Sequence, residues 1–196
     1  MSRVPVRVIR AAECRRMPWK NGGGETIEIA VHPEGAGLED FDWRLSAARV
    51  ATDGPFSTFP GVDRTLAILE GVGLELRVGE DAPVLLRRET LPYAFPADEP
   101  TEAQLLEGPI TDLNVMTRRG RIVHTVQRLD VEGRLQLALN GEVALIFCAV
   151  GTLQIEAGPT LGARDCALIQ PACDGLSIAA DQGTIVYLIE IRSTTS

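Results

Sequence analysis

Nineteen glycines and twelve prolines cut this chain into apolar runs of roughly strand length, and that punctuation limits its fold more tightly than any other feature. Residues 26–31 alternate, with Ile27, Ile29 and Val31 against Thr26, Glu28 and Ala30. Leu74, Leu76 and Val78 alternate in the same way with Glu75 and Arg77. A period of two places one set of side chains on each face of a half-buried strand. Further strands are expected near residues 43–50, 84–91, 102–107, 112–118, 122–131, 134–139, 142–148, 152–156, 166–170, 176–179 and 184–191. Only residues 10–17 read as a short helix. The fold class expected is therefore all-β.

A repeat runs through this string. The segment Leu66-Ala-Ile-Leu-Glu-Gly-Val-Gly-Leu-Glu-Leu resembles Ala144-Leu-Ile-Phe-Cys-Ala-Val-Gly-Thr-Leu-Gln-Ile: an apolar strand, a glycine corner, then an alternating strand. Each copy leads into a basic–acidic pair, Arg88-Glu89 or Arg164-Asp165, and then an apolar run ending in Pro96 or Pro171. Two similar halves imply two β-barrels or sandwiches joined near Arg118-Arg119-Gly120-Arg121, with domains at 1–119 and 120–196. Closing each sheet removes the free edges that would otherwise invite aggregation. The plainer alternative is that generic β sequences resemble one another.

With 196 residues, 45% of them hydrophobic, the chain can bury a sizeable core. Its formal net charge of −8 argues against broad nucleic-acid binding, which needs concentrated positive charge, yet leaves room for a local arginine pocket. Cys14, Cys148, Cys166 and Cys173 match no zinc-pair spacing and read as reduced thiols. The N-terminal stretch is broken by charges, and no 18-residue apolar segment occurs, so no membrane association and a cytoplasmic location are expected.

The stretch MPWKNGGGETIEIAV, residues 17–31, places Lys20 and Asn21 ahead of three glycines and then enters a strand. A phosphate loop would place the lysine after the glycines and follow them with a helix, so that reading fails, as does a dinucleotide fingerprint. Two readings stay open: a plain glycine turn, or the lip of a pocket whose backbone approaches a ligand while Lys20 and Asn21 supply donors.

The only two histidines, His32 and His124, stand far apart in sequence, so no metal cofactor is expected. No nucleophile elbow or acid–base pair emerges, and no catalytic residue is assigned. In the expected strand 43–50, Arg44, Ser46 and Ala48 share one face and Trp43, Leu45 and Ala47 the other. An inward Arg44 would need an anionic partner. The alternatives are a solvated Arg44 or an internal pair with Asp42 or Asp63.

Five blocks occur in one order: Met17-Pro-Trp-Lys-Asn-Gly-Gly-Gly-Glu-Thr26, Trp43-Arg-Leu-Ser46, Gly54-Pro-Phe-Ser57, Phe59-Pro-Gly-Val-Asp-Arg64 and Gly108-Pro-Ile-Thr-Asp-Leu-Asn-Val-Met-Thr-Arg118. Together they resemble the HutD/Ves family, along nearly the whole chain. The resemblance implies a bicupin, two double-stranded β-helix (jelly-roll) barrels in one chain, without a metal-dependent reaction. It also implies a small-ligand-binding regulator of histidine utilisation, with N-formylglutamate or urocanate as candidate ligands.

Carried onto this sequence, the matching blocks point to a pocket in the first barrel with Arg64 as its main anion partner. Arg44 would form a second cationic wall, Ser46 and Asn114 would orient a carboxylate or amide, and Trp19 and Met116 would supply apolar lining. The Lys20-Asn21-Gly22 turn would close the mouth. The partner expected is a small anionic metabolite, and the reading leaves room for a homodimer. Two rivals accompany it: a metal-independent isomerase or hydrolase using Glu25, Glu28 or Asp112, and an interaction module with a vestigial pocket.

Overall fold

A computed structural model describes residues 5–20, 22–170 and 175–194. Seventeen strands and one 3-10 turn make up the described elements. The first half contains β1 (Val6–Ile9), the turn Ala11–Glu13, β2 (Arg15–Pro18), β3 (Gly24–His32), β4 (Trp43–Val50), β5 (Gly54–Pro55), β6 (Val62–Glu70), β7 (Leu74–Val78), β8 (Val84–Leu86), β9 (Tyr93–Pro96), β10 (Thr101–Leu105) and β11 (Ile110–Arg118). The second contains β12 (Ile122–Leu137), β13 (Val143–Val150), β14 (Leu153–Ile155), β15 (Thr160–Leu161), β16 (Cys166–Ile169) and β17 (Leu176–Ser193). The chain is all-β, as the glycine and proline spacing predicts.

Two compact units result, one of Arg15–Val123 and the other of Met1–Cys14 with His124–Ser196. The N-terminal segment thus belongs with the C-terminal unit, whereas the sequence reading places all of 1–119 in the first domain. The reason is long-range pairing: β1 lies antiparallel on β16, with Val6 opposite Ile169 and Ile9 opposite Cys166. Asp165 fixes this entry further, its Oδ2 accepting from Arg10 at 2.6 Å and its Oδ1 from the Ala11 amide at 2.9 Å.

In the Arg15–Val123 unit a six-stranded sheet, β2-β3-β4-β11-β6-β9, faces a four-stranded sheet, β5-β10-β7-β8, giving a barrel-like layer pair. The first sheet contributes Val50, Leu66, Ile68, Phe95 and Ile110 to the shared core, and the second contributes Leu74, Leu76, Val78, Leu86 and Ala103. The expected alternation holds in β7, where Leu74, Leu76 and Val78 are buried while Glu75 and Arg77 are not. At the β6–β7 corner a side chain on Gly73 would place its Cβ 2.2 Å from the Leu86 carbonyl oxygen, at a φ of +128°. Only glycine permits that approach.

The other unit is a seven-stranded sheet, β1-β16-β13-β17-β14-β15 with β12 also on β17. Its interior is apolar, filled by residues such as Leu139, Ile146, Leu153, Ile169, Ile178 and Leu188.

Three local expectations change. Residues 10–17 do not form a helix: after the Ala11–Glu13 turn, Arg15–Pro18 is a strand, because it finds the edge of β3, with Met17 opposite Thr26. The stretches 122–131 and 134–139 belong to one strand up to Leu137, and 176–179 and 184–191 to another. The expected strand 84–91 stops at Leu86, where Arg87 and Thr90 close a turn on each other. Among the described residues, no helix is long and apolar enough to cross a membrane.

Candidate functional site

The inner face of β4, β11 and β6 carries the polar residues of interest in cross-strand register. On β4 the inward set is Arg44, Ser46, Ala48 and Val50; on β11 it is Met116, Asn114 and Asp112; on β6 it is Arg64, with Leu66 and Ile68 continuing into the core. Met116 lies between Arg44 and Arg64, Asn114 between Ser46 and Leu66, and Asp112 between Ala48 and Ile68. The opposite face of β4 is also buried, with Trp43, Leu45 and Ala47 all covered. Alternation alone could not have said which face holds the site.

Leu66 and Ile68 apart, the inward set lines a cavity of about 500 Å³ together with Met17, Trp19, Lys20, Thr26, Phe56 and Phe59. Arg64 is 7% exposed and Arg44 4%. Charges so deep need partners. Arg64 donates through Nε to Asn114 Oδ1 at 2.8 Å and through a terminal nitrogen to the same oxygen. Its guanidinium carbon lies 4.6 Å from the Phe56 ring centre and 5.7 Å from that of Phe95, so aromatic faces hold it from two sides. Among the described residues no carboxylate lies within ion-pair reach of Arg64. Burial lowers its pKa to about 10, with the Asp112 charge acting against that shift and the Arg44 charge adding to it, so it stays cationic at neutral pH.

Arg44 differs. Its Nε donates to Glu28 Oε2 at 2.9 Å and its Nη1 to Ser46 Oγ at 3.2 Å. The internal pair is therefore with Glu28 and not with Asp42 or Asp63, which bind Arg121 and Arg119 instead. A register shift between Glu28 and Ala30 sets Glu28 opposite Ser46 while Val31 faces Arg44. Such a bulge re-aims side chains in a way that sequence period does not reveal.

Asp112 is the residue that the ligand-binding reading omits, entering only as an acid–base candidate of the rival enzyme. It is fully buried; Oδ1 accepts from Asn114 Nδ2 at 2.6 Å, and Oδ2 has no hydrogen-bond partner. Burial pushes its pKa up to about 6, opposed by the Arg64 charge, the Asn114 hydrogen bond and the Ala48 backbone. Glu25, a second acid–base candidate, pairs with Arg16.

The hairpin from β2 to β3 forms part of the wall. The Trp19 amide donates to the Gly24 carbonyl at 2.9 Å, and its indole Nε1 donates to Thr26 Oγ1 at 2.8 Å. A Cβ on Gly24 would lie 2.2 Å from the Arg49 carbonyl oxygen and 2.9 Å from Trp19 Cε3, so glycine is what lets the indole lie over the strand. Lys20 lines the cavity from an exposed position. Asn21 lies outside the described residues. Arg118 ties two loops together, donating to the Pro60 carbonyl at 3.1 Å and the Glu39 carbonyl at 2.9 Å, and the residues before these in sequence, Phe59 and Leu38, line the cavity.

The structure thus brings Trp19, Lys20, Arg44, Ser46, Arg64, Asn114 and Met116 to one cavity. Sequence reasoning missed Phe56, although it stands within a quoted block, because nothing in one sequence shows that its ring covers Arg64. Among the described residues no three His, Cys, Asp or Glu side chains converge to hold a metal ion. Among the described residues Cys14, Cys148 and Cys166 form no disulfide, and burial raises the pKa of Cys148 to about 11; Cys173 lies outside the described residues.

Comparison with known proteins agrees across sequence and structure. The family model described as HutD matches residues 11–188. A protein named for the hutC 3′ region of Pseudomonas putida is 36% identical over 166 residues, covering 82% of this chain and 85% of that one. Protein Ves of Citrobacter koseri is 41% identical over 147 residues, covering 73% and 74%. Among solved structures, HutD from Pseudomonas fluorescens SBW25 superposes with a TM-score of 0.84 at 32% identity, covering 97% of this chain and all (100%) of the other. At 11% identity, YhhW from Escherichia coli (TM-score 0.70, covering 95% and 97%) and a quercetin 2,3-dioxygenase from Acinetobacter baumannii (0.64, covering 95% and 78%) share a cupin-like fold alone. On these matches, the chain belongs to the HutD family.

Proposed function

We propose that this protein binds a small carboxylate metabolite in the Arg15–Val123 cavity and thereby regulates histidine utilisation, in the cytoplasm. Under this reading the two units are cupin barrels derived from one duplicated unit, the repeat at Leu66 and Ala144 being its trace. Family membership and the hutC-region relative support the pathway. Arg64 carries the ligand class: a buried guanidinium with an amide and two rings as partners, facing an open cavity. A planar guanidinium fork matches a carboxylate in two hydrogen bonds, and a site removed from water makes those bonds strong. Arg44 and Ser46 lie on β4, across β11 from Arg64, to orient the same group, and Lys20 stands ready for a second anionic end.

Calorimetric titration with N-formylglutamate and urocanate tests this. Binding by wild type and its loss by at least about tenfold in Arg64→Ala is the expected outcome, since a buried charged hydrogen bond is worth about 1.5–3 kcal/mol. No heat with either compound, in a folded sample, removes the proposed ligands.

Asp112 favours a second reading, a metal-independent isomerase or hydrolase in which it moves a proton beside the bound anion, its pKa near 6 suiting a base at neutral pH. Product detected by mass spectrometry after incubation with the same compounds, and lost in Arg64→Ala, would select that reading over binding alone.

A further inference from the structure

The cavity wall is electrically balanced, and Asp112 decides the balance. Arg44 and Arg64 supply two buried positive charges; Glu28 and an ionised Asp112 supply two negative ones. Beyond those four charges the neighbouring elements add none: β4 brings Arg44 with Ser46 and Ala48, β6 brings Arg64 with Ile68, and what the opposite sheet gives to the shared core is apolar, Leu74, Leu76 and Ala103 among it. Glu28 of β3 is held by Arg44, and Lys20 of the β2–β3 hairpin sits exposed. With Asp112 ionised, the buried wall is neutral and offers an anion little field. With Asp112 protonated, the wall carries one net positive charge, matched to one carboxylate.

We propose that Asp112 sets the charge of this cavity, so that a carboxylate ligand enters together with a proton that settles on Asp112. This rests on the anion-binding reading given above. The geometry supports it: Oδ2 is buried and unpartnered, and so is the natural place for that proton, while Asn114 Nδ2 goes on donating to Oδ1. The proton comes from solvent and no bond other than O–H forms. An anion resting on Arg64 cancels the positive charge that now favours ionised Asp112, so anion and proton favour each other's binding by the same factor.

Calorimetry with N-formyl-L-glutamate, which has no group of its own titrating between pH 6 and 8, reads this directly. In buffers of high and low ionisation enthalpy at pH 7, wild type should take up close to one proton per ligand. Its affinity should weaken by up to about tenfold per pH unit from 6 to 8. Asp112→Asn should lose the buffer dependence and bind with a flat pH profile. Independently of any variant, carboxyl carbon NMR of the wild type should show one aspartate titrating near pH 6 that moves higher on ligand addition. Binding without proton uptake overturns this proposal alone. Persistence of the uptake in Asp112→Asn overturns the assignment to Asp112. No binding of N-formylglutamate, urocanate or formate overturns the anion-binding reading and this inference with it.

Discussion

Asn114→Leu tests whether the polar centre of the cavity serves function at the expense of stability. Leucine keeps the branched shape of asparagine but removes the amide that joins Arg64 to Asp112. Two donors of Arg64 lose their acceptor, and Asp112 Oδ1 loses its donor, leaving Asp112 with no side-chain partner at either oxygen. Each orphaned buried polar group costs about 1–3 kcal/mol, and breaking one side of a buried charged network costs about 3–5 kcal/mol. Water entering the cavity offsets part of this, so a loss of about 3 kcal/mol is expected. With a urea slope of about 2 kcal/mol/M, the midpoint falls by about 1.5 M. Tryptophan fluorescence is the right probe, because Trp19 and Trp43 both lie in the Arg15–Val123 unit. The triple variant Arg64→Met, Asn114→Leu, Asp112→Leu removes both charges along with the bridge. It should recover to within about 1 kcal/mol of wild type, as apolar replacement of buried ionic groups commonly does, while losing anion binding. A loss under about 0.5 kcal/mol in the single variant would show that Asn114 does not bridge the charges. A triple variant as unstable as the single one would show that the trio is required by the fold.

Two further expectations follow from the same geometry. Asp112 has a pKa near 6 in the fold against 3.8 ordinarily, so its contribution to stability is fully present below pH 3.8 and is lost as pH rises through 6. That loss is about 3 kcal/mol by pH 7. Asp98, hydrogen-bonded by Arg119, and Asp165 are lowered and act in the opposite sense, present above pH 4 and fading as pH falls. Wild type minus Asp112→Asn, by urea denaturation at pH 4.5 and 7.5, isolates the first effect; a difference that does not change with pH would refute it. Gly24→Ala forces a Cβ into the Arg49 carbonyl and the Trp19 ring, costing about 1–3 kcal/mol. Its tryptophan emission should shift to the red; unchanged emission would show that Trp19 does not depend on Gly24.

Much of the site was legible because its residues follow strand alternation. Arg44 and Ser46 are two apart on β4 and Asn114 and Met116 two apart on β11, so naming the strands puts each pair on one face. The antiparallel register that brings these pairs beside Arg64 depends on contacts across about 50 residues, such as Arg64 with Asn114. Block resemblance, and not periodicity, supplied that link. The Glu28–Arg44 pair depends on a bulge, which leaves no mark in the period. Residues 10–17 read as a helix because Arg15 and Arg16 beside Ala11 and Ala12 suit one; an open edge on β3 outweighs so weak a local preference.

The two units give the sharpest reason for seeking function in one of them. Laying the repeat Leu66-Ala67-Ile68-Leu69 on Ala144-Leu145-Ile146-Phe147 matches strand β6 with β13, each antiparallel to a later strand, β11 or β17. Opposite Ile68 stands Asp112; opposite the corresponding Ile146 stands Leu188. Under the proposed duplication, one unit buries an acid where the other buries a leucine. Leu188 packs with Ile146, Cys148 and Val186 in a wholly apolar cluster, as strand pairing and the hydrophobic effect alone would dictate. An unpartnered carboxylate oxygen at that place costs stability and contributes nothing to packing. Under that duplication the fold has no need of Asp112, which is what the triple variant tests. The proposed carboxylate ligand would account for its burial beside Asn114 and Arg64.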